Sequence, residues 1–292
     1  MKGLVLAPLR GVTIRAFRRS FAPAIREAGF EWAVSPFIAA NPGVKPTAKY
    51  MKEAVPFEER LVPQVITKDP QSMTVLLKAF KDMGYSSADL NAGCPFPMVA
   101  RRGRGSGLMR NPGLLERLLA AGCEAMGAGR FSVKMRLGIE SPREIFALVP
   151  ILNRYPLAAV TIHARTAKEM YSGSCHRSEM MEVAGMSSNP VIVNGDFTVA
   201  DAAGPLPEGV AGVMVGRSFI KALALREDAG SLAMAYMEES SRELGSEHGV
   251  LGRMKELLSY WAHAPGVWAR RWNSVKMCRS LDELAQVLGR AG

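Results

Sequence analysis

Short apolar segments alternate with longer amphipathic segments through the first 220 residues, and this alternation constrains the fold more than any other feature. Eight apolar segments predict strands: GLVLAPL, WAVSPFI, LVPQVI, SADLN, FSVKMRL, AAVTIHA, PVIVNGD and GVMVGR. Strands separated by helices form right-handed βαβ units with a parallel sheet. Eight such units in about 220 residues predict a (β/α)8 TIM barrel of the α/β class. An open doubly wound sheet is the alternative, but the segment LAPLRGVT lacks its phosphate-binding G-x-G-x-x-G motif.

Helical periodicity replaces the alternation after residue 220. The segments EDAGSLAMAYMEESSRELG, GVLGRMKELLSYWAH and SLDELAQVLGRAG each predict a helix. We therefore expect a barrel domain over residues 1–220 and a small helical domain over residues 221–292.

The chain of 292 residues carries a net charge of +10, which favours an anionic partner such as nucleic acid. Residues 1–26 hold six cations and no acid, and a second cluster between residues 248 and 280 is interleaved with Tyr260, Trp261, Trp268 and Trp272. Such a basic, aromatic surface suits RNA. The alternative is a solvated face with tryptophans in the core, and the clusters taken alone favour it.

Several protein classes are disfavoured by the composition. None of the four cysteines lies in a C-x-x-C pair, so the sequence indicates no zinc or iron–sulfur site and no disulfide framework. The apolar run after Lys2 is interrupted by Pro8 and Arg10, which argues against a secretory leader, and no apolar stretch is long enough to span a bilayer. We expect a soluble cytoplasmic protein that binds neither membrane nor metal.

Polar residues stand at or just beyond the ends of nearly all predicted strands. In a parallel barrel the carboxyl ends of the strands face the active site. These residues are Gln64, Asn91, Cys94, Lys134, Arg136, His163, Arg165, Asn194, Gly195, Asp196, Gly216 and Arg217. Each alone has a structural interpretation, but together they outline one site. Gly195, Gly216 and Arg217 would form an anion-binding corner. Lys134 and His163 would face the ring of a phosphorylated cofactor.

The motifs around these residues resemble a known family. LNAGCPFPMVARRGRGSGLM resembles the N-x-G-C-P-x-x-x-V…G-x-x-L signature of the tRNA-dihydrouridine synthases, and APLRGVTIRAFR, VKMRLG, TIHARTAKEMYSG, VIVNGDF and VMVGRSF are similar to further family segments in the same order. GRMKELLSYWAH and RRWNSVKMCRSLDEL resemble the C-terminal domain of the bacterial branch that acts on tRNA position 16. The resemblance covers nearly the whole chain.

The resemblance implies an enzyme that uses FMN, with NADPH as electron donor, to reduce a uridine in tRNA to 5,6-dihydrouridine. We expect the protein to be a monomer. Hydride would pass from flavin N5 to C6 of the uracil, and Cys94 would donate the proton to C5. A thiol with an unperturbed pKa of about 8.5 is mostly protonated at neutral pH and suits that role. A cation such as Lys134 would stabilise the reduced, anionic flavin ring.

The resemblance also assigns binding residues. Those expected to hold the flavin are Ala7, Pro8, Gln64, Asn91, Lys134, His163, Asn194, Gly195, Asp196, Gly216 and Arg217. Those expected on the RNA side are Arg136, Arg165, Tyr171, Arg253, Lys255, Arg270, Arg271 and Lys276.

The chain departs from the family pattern mainly on the RNA-facing loops. Phe96 and Pro97 stand where a small residue and a lysine are usual, and Arg101, Arg102 and Arg104 replace small residues. The target uridine therefore stays open. So do three alternatives: a flavin oxidoreductase for a free pyrimidine or another small enone, an RNA-binding barrel that has lost its chemistry, and a phosphate-binding lyase or isomerase.

Overall fold

The computed structural model describes residues 2–55 and 60–289. Its strands all run parallel within one sheet. They are β1 (Gly3–Leu6), β2 (Trp32–Val34), β3 (Ile38–Ala39), β4 (Arg60–Val62), β5 (Gln64–Ile66), β6 (Ala88–Ala92), β7 (Phe131–Gly138), β8 (Ala159–Thr166), β9 (Val191–Asn194) and β10 (Val210–Val215).

The sheet closes on itself. Its order is β3-β5-β6-β7-β8-β9-β10-β1-β2-β4. Strands β2 and β3 are successive pieces of one extended segment that contains Pro36, and β4 and β5 flank Pro63. Proline lacks the N–H that a strand ladder needs, so each segment is split. The segment of β2 and β3 therefore pairs with the segment of β4 and β5 at both ends of the strand order, which closes the sheet. The closed eight-segment TIM-like barrel predicted from the sequence is confirmed.

Helices cover the outside of the barrel and form the C-terminal part of the chain. They are α1 (Arg15–Ser20), α2 (Ala22–Glu27), α3 (Pro70–Asp82), α4 (Pro97–Ala100), α5 (Pro112–Met126), α6 (Val149–Leu152), α7 (Arg177–Met186), α8 (Arg217–Ala222), α9 (Ala229–Leu244), α10 (Glu247–Trp261), α11 (Val267–Met277) and α12 (Leu281–Gly289). Short 3-10 turns span Lys52–Ala54, Gly105–Arg110, Pro142–Ala147, Ala200–Ala202 and Leu223–Leu225. None of the helices in the described ranges is long and apolar enough to cross a bilayer.

Helix boundaries follow local chemistry. Helix α5 begins at Pro112, where Asn111 Oδ1 accepts the N–H of Leu114 as an N-cap. The helical segment after β1 breaks at Phe21, and Pro23 sits in the first turn of α2, where its missing N–H has no cost. The segment between β7 and β8 forms a 3-10 turn over Pro142–Ala147 followed by α6.

The C-terminal helices pack directly on the barrel, and one hydrophobic cluster runs through both parts. Phe21 contacts Trp261 edge-on at 6.3 Å between ring centroids. Arg15 pairs with Glu243 at 2.5 Å and Arg19 pairs with Glu239 at 2.9 Å. Helix α11 was not predicted. The division into domains at residue 220 stays a prediction.

Several basic residues near the N-terminus contact other parts of the same chain. Arg18 is fully buried and donates to the carbonyls of Thr13 and Glu53, both at 2.8 Å. Trp261 and Trp268 are likewise buried, as the alternative with tryptophans in the core expects. RNA binding by the N-terminal cluster stays a prediction.

Candidate active site

A cavity of about 670 Å³ opens at the carboxyl ends of the barrel strands. This is the size and place expected of a cofactor or ligand site in a TIM barrel. The predicted residues that line it are Ala7, Pro8, Asn91, Cys94, Lys134, Arg136, His163, Arg165, Tyr171, Asn194, Gly195, Asp196, Gly216 and Arg217. The fold thus brings together residues from six of the eight predicted strand ends.

A chain of buried hydrogen bonds fixes the backbone of Cys94. Asn91 Oδ1 accepts the Cys94 N–H at 2.9 Å, and Asn91 Nδ2 donates to Gln64 Oε1 at 2.7 Å. Gln64 Nε2 donates in turn to Asp89 Oδ2 at 2.8 Å, and Ser132 Oγ donates to Asp89 Oδ1 at 2.6 Å. The Asp89 carboxylate can only accept, so it orients both amides in series.

Gln64 does not line the cavity. Its side chain is fully buried, and both ends of its amide are engaged by Asp89 and Asn91. Its expected contact with a flavin is untested and stays a prediction, but the role that its hydrogen bonds support is to hold Asn91.

Glycines hold the loop after Cys94 close against it. Ser106 N–H donates to the Cys94 carbonyl at 3.0 Å. A methyl group on Gly105, whose φ is 55°, would lie 2.7 Å from that carbonyl oxygen, and one on Gly107 would lie 2.2 Å from the Ala100 carbonyl oxygen. Only glycine allows these approaches. The glycine-rich sequence therefore packs a tight loop around the cysteine.

Burial raises the pKa of the Cys94 thiol, although Arg10, Arg136 and Lys134 oppose the shift. The side chain is 9% exposed and lines the cavity. Cys94 is thus a protonated thiol at neutral pH, which can give up a proton but is a poor thiolate nucleophile.

Two basic groups, Lys134 on β7 and His163 on β8, line the same cavity as Cys94. Lys134 Nζ donates to Asn194 Oδ1 at 2.9 Å, and burial, aided by the charge of Arg136, lowers the pKa of Lys134 to about 7. Burial and nearby cations also lower the pKa of His163 well below its usual value, so its imidazole is neutral. The buried Nδ1 of His163 has no hydrogen-bond partner among the described residues. A ligand in the cavity could supply one.

The arginines at the ends of β7 and β8 organise the loop that follows β8. Arg136 donates to the carbonyls of Gly93, Thr166 and Met170 at 2.7–3.0 Å. Arg165 donates to the carbonyls of Ser172 and Gly173. Both guanidinium groups are buried and line the cavity. They shape its wall mainly by fixing this loop.

Tyr171 lies at the cavity mouth between two cations. The guanidinium carbon of Arg136 is 5.2 Å from the centre of its ring and that of Arg217 is 4.9 Å away. Asp196, with a φ of 51°, accepts from Arg217 at 2.9 Å and also from Arg165. The hydrogen bond from Arg165 keeps the pKa of Asp196 low, so this carboxylate fixes Arg217 beside Tyr171.

The C-terminal helices contribute to the cavity wall, which the sequence did not predict. Glu256 and Tyr260 on α10 line the cavity, as do Arg10 and Phe37 from the barrel. Glu256 packs so closely that a methyl group on Gly11 would lie 2.3 Å from its Oε2. Helix α10 is thus part of the site.

The five C-terminal cations predicted to bind RNA lie outside the cavity lining. Lys255 Nζ donates to the carbonyls of Lys276 and Cys278 at 2.9 and 2.7 Å, and Arg271 donates to the Val287 carbonyl at 2.9 Å. Arg253 contacts Glu256 at 3.5 Å. Arg270 and Lys276 are exposed. Lys255 and Arg271 tie helices together, and RNA binding by all five stays a prediction.

Metal binding has no site of its own in the described ranges, where no three His, Cys, Asp or Glu side chains form a group able to hold an ion.

Comparison with known proteins bears on the chemistry of the cavity. Residues 5–258 match the family model described as Dihydrouridine synthase (Dus). The tRNA-dihydrouridine synthase B of Proteus vulgaris is 31% identical over 221 residues, 74% of this chain and 67% of that protein. The tRNA-dihydrouridine(16) synthase of Cupriavidus necator is 30% identical over 239 residues, 77% of this chain and 73% of that protein. The chain spans about two thirds of the length of several curated relatives.

Solved structures share the fold at low sequence identity. The old yellow enzyme homologue from Zymomonas mobilis superposes with a TM-score of 0.56 at 13% identity, over 75% of this chain and 85% of that one. Morphinone reductase gives a TM-score of 0.54 at 13% identity, over 75% and 83% of the two chains. These likenesses support the barrel architecture.

Proposed function

Because this chain belongs to the dihydrouridine synthase family, we propose that it reduces a uridine in tRNA to 5,6-dihydrouridine, with FMN as cofactor and NADPH as electron donor. The observation that carries the proposal is the placement of the Cys94 thiol, kept protonated by burial, in one cavity with Lys134 and His163.

The residues around the cavity fit a flavin. The unpartnered Nδ1 of His163 and the Nζ of Lys134 offer polar contacts to a heteroaromatic ring. A methyl group on Gly216 would lie 3.1 Å from Ala7 Cβ, so glycine avoids a tight contact in this part of the cavity wall. Arg217, held by Asp196, supplies a positive charge for a phosphate. These residues, with Pro8, Asn91, Asn194 and Gly195, are our proposed FMN site.

Bound FMN would supply the hydride that C6 of the uracil accepts. Cys94 then serves as the general acid that protonates C5, and its raised pKa keeps the proton available at neutral pH. Lys134 lies on the neighbouring strand, with Asn91 paired to it across the sheet. Its pKa of about 7 leaves it partly protonated at neutral pH, and its ammonium form would stabilise negative charge developing near the ring. The hydrogen-bond chain from Asp89 through Gln64 and Asn91 holds the acid in place.

The mouth of the cavity suits a base taken out of an RNA stack. A buried reaction site requires the target uridine to leave the stack and enter. Phe96 and Tyr171 are 42% and 40% exposed, with ring centroids 6.5 Å apart, and can stack on a base. We keep Arg136 and Arg165 as proposed residues of the cavity wall on the RNA side.

The alternatives left open by the sequence have less support. A barrel that only binds RNA does not need a buried thiol beside a lysine and a histidine. A reductase of small enones does not need a helical extension in the cavity wall. The relatives include both a synthase B and a position-16 synthase, so position 16 remains a hypothesis. A monomer in the cytoplasm likewise stays our proposal.

The test is product formation. Purified protein, loaded with FMN, is incubated with NADPH and unmodified tRNA, and the digested tRNA is mapped by mass spectrometry. We expect one uridine to become heavier by two hydrogen atoms, and no comparable reduction of free uridine or uracil. Reduction of the free bases without reduction of tRNA would contradict the proposal and support a small-molecule reductase.

A further inference from the structure

Four basic side chains on and next to the loop that follows Cys94 have no ion-pair or hydrogen-bond partner in the described part of the chain. Arg101, Arg102 and Arg104 follow α4, and Lys68 follows β5. A methyl group on Gly103 would lie 3.9 Å from Lys68 Cδ, which places the lysine beside the arginines. Arg101, Arg102 and Lys68 are exposed, and the Nε of Arg104 is buried without a hydrogen-bond partner. We call these four residues the arginine turn.

Many other arginines are neutralised within the protein. Arg15, Arg19, Arg154 and Arg226 each pair with a carboxylate at 2.5–3.0 Å. The residues of the arginine turn form no ion pair and donate no side-chain hydrogen bond within residues 2–55 and 60–289. Adjacent like charges that form no ion pair repel each other, so their grouping favours an external anion.

The surface between the arginine turn and the cavity indicates which anion. Phe96 lines the cavity and is 42% exposed, and Met98 on α4 is 78% exposed. An exposed aromatic ring and unpaired cations along one path are typical of surfaces that bind single-stranded RNA, where bases stack and phosphates pair with charge.

We propose that the arginine turn binds the tRNA backbone next to the uridine that enters the cavity. The inference rests on the proposed function and adds the face of the barrel that the RNA follows. Nucleotides flanking a flipped base must cross the cavity rim. The arginines of the turn lie on the loop between Phe96, which lines the cavity, and Gly105, which packs on Cys94. Lys255 and Arg271 of the C-terminal cluster, by contrast, already bind carbonyls of their own chain.

The arginine turn is also joined to the reacting group. Arg104 immediately precedes Gly105, which packs on Cys94, and Ser106 donates to the Cys94 carbonyl at 3.0 Å. Phosphate binding at the turn would therefore occur on the same loop that holds the acid. Because the arginines lie outside the cavity, their removal should weaken tRNA binding without abolishing the chemistry at saturating tRNA.

The test compares two double variants that remove equal charge. R101A/R102A removes two cations of the arginine turn. R117A/R130A removes two exposed arginines from outside it: Arg117 on α5, and Arg130, just before β7 at the opposite end of the barrel. The dissociation constant of the FMN-loaded protein for unmodified tRNA is measured by fluorescence anisotropy between about 50 and 300 mM KCl. Over roughly this range the affinity falls steeply with salt when the protein contacts phosphates.

The logarithm of the association constant falls linearly with the logarithm of the salt concentration, and each lost phosphate contact makes this slope shallower by about 0.7–0.9. R101A/R102A should therefore flatten the slope by about 1.4–1.8 and weaken binding about 20- to 60-fold at 0.1 M salt. The R117A/R130A slope should equal that of wild type. The Michaelis constant for tRNA should rise in R101A/R102A while kcat stays near that of wild type.

The outcomes separate the two proposals. If the wild type forms dihydrouridine and both double variants have the same salt slope as the wild type, RNA binding by the arginine turn is overturned and the proposed function stands. Wild-type protein that neither binds nor reduces tRNA would overturn the proposed function as well. A lower kcat with an unchanged slope would also contradict the inference, because it would make the arginines part of the loop's structure. Urea unfolding of each variant verifies folding, and R101E/R102E should weaken binding more than R101A/R102A.

Discussion

Gly105→Ala should slow the reaction far more than Gly103→Ala, although both changes add one methyl group to the same loop. Gly103 and Gly105 have φ values of 72° and 55°. This region costs an L-residue about 1–2 kcal/mol. At Gly103 the added carbon would be 3.9 Å from Lys68 Cδ, an ordinary contact. At Gly105 it would lie 2.7 Å from the carbonyl oxygen of Cys94 and 2.8 Å from its Cβ.

The contact at Gly105 adds an overpacking cost of about 1–3 kcal/mol. We therefore expect Gly105→Ala to lower the free energy of unfolding by about 2–5 kcal/mol, against about 1–2 kcal/mol for Gly103→Ala. The strain is relieved most directly by moving Cys94, whose carbonyl is tied to Ser106. A displacement of about 1 Å at a reacting group can cost about 100-fold in rate.

The assay is single-turnover formation of dihydrouridine at saturating tRNA, together with urea unfolding of both variants. We expect Gly105→Ala to be slower by about 100-fold and Gly103→Ala to be close to wild type. Equal rates for the two variants would refute the argument that the glycine loop positions Cys94.

Three further predictions concern buried groups. Burial raises the pKa of Asp89 from 3.8 to about 6, so the folded protein retains a proton that the unfolded chain has lost, and the free energy of unfolding falls as pH rises through that interval. Asp89→Asn should remove this fall in the free energy of unfolding, which amounts to up to about 3 kcal/mol. Urea unfolding between pH 4 and 7 measures it, and a variant with the same pH profile as the wild type would contradict the prediction. Because burial raises the pKa of Cys94, its alkylation by iodoacetamide at pH 7.5, followed by peptide mass spectrometry, should be slower than that of free cysteine, and faster alkylation would indicate a thiolate. Lys134→Met should weaken FMN binding about 10- to 100-fold in a fluorescence titration. Equal FMN affinities of the variant and the wild type would contradict this prediction.

The barrel could be predicted because each strand is a local apolar segment with polar residues at one end. The identities of Asn91, Lys134, His163 and Asn194 as cavity residues follow from that register, provided that the sheet is parallel. The breaks in the second and third strands arise at Pro36 and Pro63, which the sequence also displays.

Contacts between distant parts of the chain could not be predicted in the same way. Glu256 lies about 250 positions from Gly11 and becomes part of the cavity only through the docking of α10. The basic N-terminal segment has no acid within it, and Arg15 finds its partner at Glu243. The charge pattern of the sequence therefore shows that the segment is basic but not that Arg15 pairs with a glutamate about 230 positions away in the chain.

The roles of buried amides also depend on three-dimensional partners. Gln64 was predicted to contact the flavin from its place at a strand end. In the fold its side chain bonds to Asp89 and Asn91, and Asp89 belongs to the same strand as Asn91. The sequence shows which residues are amides and carboxylates, but it does not show which of them bond to one another in the fold.

The most direct test of the central claim is the reoxidation of the reduced, flavin-loaded protein when unmodified tRNA is added without oxygen. We expect rapid reoxidation in the wild type. In Cys94→Ala, with the same flavin content and tRNA affinity, we expect a rate lower by about 100- to 10,000-fold, the usual contribution of a general acid. Equal rates in the two proteins would contradict the role of Cys94, and a reduced protein that ignores tRNA altogether would contradict the proposed reaction.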